Sequence, residues 1–185
     1  MKSPHFNPPV IGLLAALCVA LGHLLAAVPN IELLTTGVFI SGYWTGMVSG
    51  IAVGGIAIGL YSMLNPYGMA PPPLFVAQIL SYTIVGGVAG VLGRRIRRIG
   101  WKAALLFAAC GLCFTVLYAL LTTLAYVLTA GNHRVLFWGS LIQGLGFYVT
   151  HMITNTVFFF LLVPFILNRL DRLGWTSELR GSVHE

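Results

Sequence analysis

Acidic residues are nearly missing from this chain of 185 residues: there are four, and Asp171, Glu178 and Glu185 fall in its C-terminal tail, which leaves Glu32 alone among the apolar segments. Charged residues of both signs reach 8%, against roughly a quarter in soluble domains, while hydrophobic residues make up 58%. That balance excludes a water-solvated globular domain and makes lipid the main solvent. Cysteine is also scarce. Cys18, Cys110 and Cys113 all sit inside apolar stretches, so neither a disulfide framework nor a zinc site is indicated, and the CxxC at 110 and 113 carries little weight on a buried helix. GxSxG, HExxH and Walker A sequences are absent. The chain therefore lacks the signatures of a serine hydrolase, a zinc peptidase and an ATPase, and reads as a non-enzyme that calls for no cofactor and no metal.

What is present is a set of long hydrophobic runs, each near the roughly 20 residues that cross a bilayer core of about 30 Å. Six spans are expected, at 10–28, 31–48, 50–64, 74–93, 103–129 and 146–167, in one membrane domain. Threading them in order puts Lys2, Arg94, Arg95, Arg97, Arg98, Lys102, Arg169, Arg172 and Arg180 on one side and Arg134 on the other. By the positive-inside rule the expected fold is an all-α integral membrane protein, a six-transmembrane-helix bundle with N and C termini cytoplasmic, multi-pass in the plasma membrane. The net charge of +6 does not point to nucleic acid, because the basic residues flank spans, where anionic head groups account for them.

Local punctuation sets the boundaries. Pro8 and Pro9 open the first span and Pro29 closes it, since proline supplies no backbone donor inside a helix. A signal peptide is the competing reading of this segment, from Lys2, the apolar stretch and the small Ala26 and Ala27; its length and Leu25 speak against it. Gly46, Gly50 and Gly54, then Gly55 and Gly59, recur at four-residue spacing and form a face where a neighbouring backbone approaches closely; Gly86 and Gly90 repeat this in the fourth span. The chain from Val135 on is apolar for about 33 residues, too long for one crossing at 1.5 Å per residue, so 135–145 is assigned to an external or interfacial segment, and Pro164 is placed to kink the inner end of the last span.

Polar residues inside such spans are costly and hence candidates for function, with helix-to-helix hydrogen bonding as the alternative. Tyr148, His151 and Asn155, with Gly144, lie on one face of the last helix by steps of three and four. Gln78 and Tyr82 are one turn apart on the fourth. Asn30 and Glu32 sit at an expected outer mouth, where the carboxylate either meets a cationic group of a ligand or lies in water near Arg134. His23 is isolated; with His151 it forms the one histidine pair that two helices could offer a haem.

The segment order, the stretch AAVPNIELLTTGVFISGYWTGMVSG, the short third helix, the LNPYGMAPPP connection and the arginine-rich boundary after the fourth span carry a resemblance over nearly the whole chain. It resembles the substrate-binding S components of energy-coupling factor transporters, which import vitamins and micronutrients. The resemblance implies a six-helix bundle with a pocket open to the outside, and makes Asn30, Tyr67, Gln78, Tyr148, His151 and Asn155 pocket candidates. It implies a transmembrane coupling subunit and two cytoplasmic ATPases as partners, docked through small residues at four-residue spacing on the first helix, here Gly12, Ala16 and Ala20. Its Pro29-Asn30 turn leans toward a corrinoid such as cobalamin, with His151 the most plausible cobalt ligand. The alternative is a scaffold or assembly subunit of the rod-shape type, which binds partner helices and no small molecule.

Overall fold

Seven helices and no strand make up the described part of the structure, a computed structural model that describes residues 7–25, 28, 31–66, 68–96, 98–130 and 133–173, with only the backbone described at 133–135. Two expected pocket residues, Asn30 and Tyr67, lie outside it. The helices are α1 (Pro8–Leu24), α2 (Leu34–Thr45), α3 (Met47–Met63), α4 (Pro72–Arg95), α5 (Trp101–Ala130), α6 (His133–Gln143) and α7 (Leu145–Arg172). Three of them, α4, α5 and α7, are long and apolar enough to cross a membrane. Their lipid-type faces are explicit: Val76, Leu80, Ile84 and Val88 form an exposed apolar stripe at four-residue steps along α4.

Several expected boundaries are corrected. The first helix runs over Pro8–Leu24 and not 10–28: the two prolines occupy its first turn, where their missing donors are of no consequence, and it ends ahead of Pro29. The second expected span shrinks to the 12 residues of α2, about 18 Å at the usual rise, too short to cross alone. Its start is set by the Glu32 carboxylate, which accepts the Thr35 backbone N–H at 2.9 Å, and its end by Gly46 at φ +94°, a left-handed conformation that glycine adopts without strain. The chain reverses at that one residue and α3 begins at once. Interior to the bundle, α2 is buried nearly all round, with Leu34 through Phe39 and Ser41 through Tyr43 inside, as expected for a helix apolar on every face. The break in the last apolar run falls at Gly144, one residue from the expected split, and the segment expected to be external or interfacial, 135–145, holds most of helix α6. Pro164 lies within α7, which continues through it.

Glycines hold α2, α3 and α4 together. A methyl group built at Gly86 would lie 2.0 Å from the Gly50 carbonyl oxygen, one at Gly42 2.3 Å from that of Gly86, and one at Gly93 2.0 Å from that of Tyr43. Backbones meet directly along this seam, which is how helices associate where lipid removes the hydrophobic drive between them. On the other side of α2 the packing is aromatic. Phe39 is fully buried and its ring lies 5.5 Å from Phe107, 6.1 Å from Phe114 and 4.9 Å from Phe159, in tilted or edge-on arrangements suited to ring quadrupoles. Gly111 on α5 makes room for Phe159, whose ring would be 2.8 Å from a methyl group there.

The two ends of the bundle differ. Arg94, Arg95, Arg98 and Lys102 cluster where α4 ends and α5 begins, beside the Gly46 reversal, with an Arg94 nitrogen 3.8 Å from the position of a Gly46 methyl. The Tyr43 hydroxyl donates to the Ile96 carbonyl at 2.6 Å and ties this segment to α2. Glu32, the start of α4, the end of α5 and the start of α7 belong to the opposite end.

Candidate functional site

Just beyond the aromatic core, toward the end opposite the cluster of Arg94, Arg95, Arg98 and Lys102, the interior turns polar. Each helix changes from hydrophobe to polar residue within about one turn: Phe39 to Thr35 on α2, Phe114 to Thr115 and Tyr118 on α5, and Phe159 to Asn155 on α7, with His151 one turn further on. The Glu32 side chain, 17% exposed, is held from α2 by the Thr35 N–H and by the Thr35 hydroxyl. His151 approaches it from α7, with Nε2 at 3.5 Å from a carboxylate oxygen, a distance and alignment that make an ion-pair contact rather than a hydrogen bond. The Tyr82 hydroxyl of α4 lies 3.1 Å from the Thr35 hydroxyl. Since that hydroxyl has one proton and gives it to the carboxylate, Tyr82 is the donor between the two. Glu32 is therefore not in open water but against Thr35 and the His151 imidazole; the side chain of Arg134, which one reading of the sequence put near it, lies outside the described residues.

Gln78 occupies a neighbouring network. Its carbonyl accepts from the Ser62 hydroxyl of α3 and its amino group donates to the Tyr118 hydroxyl at 3.2 Å. Tyr118 links this network to the carboxylate, its ring packed edge-on 6.0 Å from Tyr82 and 6.2 Å from His151. Deeper still, Asn155 is 1% exposed. Its amino group donates to the Thr115 hydroxyl at 2.9 Å, while its carbonyl oxygen has no partner. Buried polar atoms are paired in all but a few cases; among the described residues His151 Nε2 and the Thr36 hydroxyl are the other buried side-chain atoms without a hydrogen-bond partner. Thr35, Tyr82, Tyr118, His151 and Asn155 enclose a space there about the size of one water molecule.

Along the same α5–α7 groove, one turn outward, lies a second and open cleft of about 480 Å³, lined by Thr122, Thr123, Tyr126, Gln143, Phe147 and Tyr148 among others, a size usual for small-molecule sites. Between the two, the Tyr148 and Thr123 hydroxyls are 2.9 Å apart and bridge the groove.

Of the expected pocket residues, Tyr82, His151 and Asn155 line the closed space, Glu32 lies behind it against Thr35 and His151, Gln78 reaches it through Tyr118, and Tyr148 lines the cleft. Thr35, Thr115, Tyr118 and Thr123 were not expected. For Thr115 and Tyr118 the signal was the series Gly111, Thr115, Tyr118 and Thr122 at helical steps on the fifth span; Thr35 and Thr123 had none. His23 is engaged elsewhere, its Nδ1 at 2.9 Å from the Val19 carbonyl and its ring 4.7 Å from Tyr61, so the two histidines read as a haem pair are committed to different neighbours. Among the described residues no group of three or more His, Cys, Asp or Glu side chains could hold a metal ion. Gly12, Ala16 and Ala20 share an exposed face of α1, and nothing in the chain approaches a methyl group built at Gly12.

No family model, curated protein or solved structure matches this chain.

Proposed function

We propose that the chain is the substrate-binding subunit of an energy-coupling-factor-type importer, a six-transmembrane-helix bundle in the plasma membrane with both termini cytoplasmic. One observation carries the reading: the imidazole of His151 and the unpaired carboxamide oxygen of Asn155, both on α7, meet hydroxyl-bearing side chains of α2, α4 and α5 around a water-sized space inside an apolar bundle, with the Glu32 carboxylate 3.5 Å from the imidazole. An unpaired buried acceptor costs about 1–3 kcal/mol, a cost that a ligand donating a hydrogen bond to it would remove. With the arginine end cytoplasmic by the positive-inside rule, the space and its cleft lie toward the outside, as capture of a scarce nutrient requires. A vitamin or related micronutrient is the ligand class. A corrinoid is the member that would need the widest opening of the groove.

Energy would come from partners. The exposed small-residue face of α1, Gly12, Ala16 and Ala20, suits a transmembrane coupling subunit that must slide against the bundle, itself driven by two cytoplasmic ATPases. The test is native mass spectrometry of the detergent-purified chain with a vitamin panel that includes cobalamin. A stoichiometric adduct is the expected result. A clean mass across the whole panel refutes the reading in favour of a scaffold subunit that binds partner helices alone.

A further inference from the structure

Around the water-sized space most hydroxyl protons are already spoken for. Thr115 and Ser81 give theirs to the backbone carbonyls of Gly111 and Ala77 at 2.8 Å each, and Thr35 gives its own to Glu32. What is left over is a mixed set. The Asn155 oxygen is an acceptor without a partner, and His151 Nε2 has no hydrogen bond either. Two donors stand beside them: the second N–H of the Asn155 amino group, and the proton of the Tyr118 hydroxyl, whose oxygen accepts from Gln78. A guest that satisfies this set must both donate and accept, with room for about one heavy atom. An ammonium group donates but cannot accept, and a carboxylate or an ether accepts but cannot donate; a hydroxyl does both.

The open cleft asks for the same kind of molecule. Among the described residues no Asp, Glu, Lys, Arg or His lines it, so a charged group placed there would go without a counter-charge beside an apolar bundle. It offers instead the rings of Tyr126, Phe147 and Tyr148, with the Ser140 hydroxyl and the Gln143 carboxamide at its edge. Tyr118 and Thr122 on α5, and His151 and Tyr148 on α7, lead from the closed space to the cleft within one turn of each helix. We propose that the two together take an uncharged ring compound bearing a hydroxyl group. The hydroxyl enters the closed space, donating to the Asn155 oxygen and accepting from Tyr118, while the ring lies in the cleft against Tyr126 and Phe147. The Tyr148 to Thr123 bridge stands between the two, and it parts when the ligand enters. This rests on the binding-subunit reading and names its ligand class.

The test uses the full-length protein in detergent and four probes built on one ring, benzyl alcohol, benzylamine, benzoate and benzyl methyl ether, titrated by calorimetry against empty micelles. Benzyl alcohol is expected to bind about fivefold more tightly than each of the others, the worth of one net hydrogen bond. That preference disappears in Tyr118→Phe and in Asn155→Leu, and in the latter the unfolding midpoint does not fall, a separation that a purely structural asparagine would not give. A crystal structure with benzyl alcohol then shows the alcohol oxygen itself between Asn155 and Tyr118. Equal affinities, a tighter amine or carboxylate, no binding of any probe, an undiminished preference in either variant, or a water held in the space while the alcohol sits elsewhere each overturns the proposal. The two readings fail separately. A vitamin adduct that both variants hold as tightly as the wild type sinks the hydroxyl site and leaves the importer standing, whereas alcohol-selective binding with no vitamin adduct keeps the site and removes the vitamin class.

Discussion

Replacing Asn155 by leucine should make the protein more stable, which is an unusual expectation for a fully buried position. The asparagine makes one hydrogen bond, from its amino group to Thr115 at 2.9 Å, and leaves its carbonyl oxygen unpaired. Losing the bond costs about 1 kcal/mol, and removing a desolvated, unsatisfied carbonyl returns about 1–3 kcal/mol. Thr115 keeps its own bond to the Gly111 carbonyl, so no new orphan appears. Leucine branches at the same carbon, and its extra bulk enters the water-sized space beside it. No hydrophobic gain is credited, because the unfolded reference in a bilayer or micelle is apolar already. The net gain is about 1 kcal/mol, a rise of about 2–4 °C in the midpoint for a chain of this size. Thermal unfolding in detergent reads it directly. Thr115→Val supplies the opposite sign, since it strands the Asn155 amino group at a cost of about 1–3 kcal/mol. A midpoint that falls in Asn155→Leu, or that is unmoved in Thr115→Val, would refute the account of this site as a structure held partly unsatisfied for a guest.

Gly86→Ala places a methyl group 2.0 Å from the Gly50 carbonyl, so the α3–α4 seam must part; a loss of about 3 kcal/mol is expected from such overpacking, read as a lowered unfolding midpoint or loss of folded protein on size exclusion. Gly12→Ala, by contrast, meets nothing within 4 Å and should leave the midpoint within about 1 °C, since exposed substitutions fall within about 0.5 kcal/mol. Ala16→Leu and Ala20→Leu fill the exposed face of α1 and should abolish co-purification with a coupling subunit while ligand binding persists; unchanged co-purification removes that interface from the proposal.

Much of this architecture is written in local sequence. The prolines at 8 and 9, the arginines at 94 and 95 and the break near Gly144 mark helix ends within a few residues. The glycine series on α3 and α4 marks the seam, because small-xxx-small spacing is a property of one helix alone. The face of Tyr148, His151 and Asn155 follows from helical steps, though which of its members look inward does not: Asn155 is buried against Thr115, while Tyr148, which meets Thr123 beside the open cleft, is only half-buried. The brevity of α2 was hidden. A run apolar on every side reads alike as a span or a core helix, and nothing before the fold is known says that the chain turns back at Gly46. Thr35 and Tyr118 escaped for a related reason: their roles depend on partners 47 and 40 residues away in sequence.

Helix α2 touches both ends of the molecule. At one end Thr35 holds the carboxylate; at the other Tyr43 holds the Ile96 carbonyl beside the arginines. Between them lie two turns of helix pressed against backbone on the seam side and rings on the other, a packing that leaves almost no void to absorb a local shift. Such an element behaves as a push-rod. If a ligand at the mouth shifted Thr35, a helix packed this tightly would carry the shift to Tyr43, and the arginine face would register it without any hinge in between.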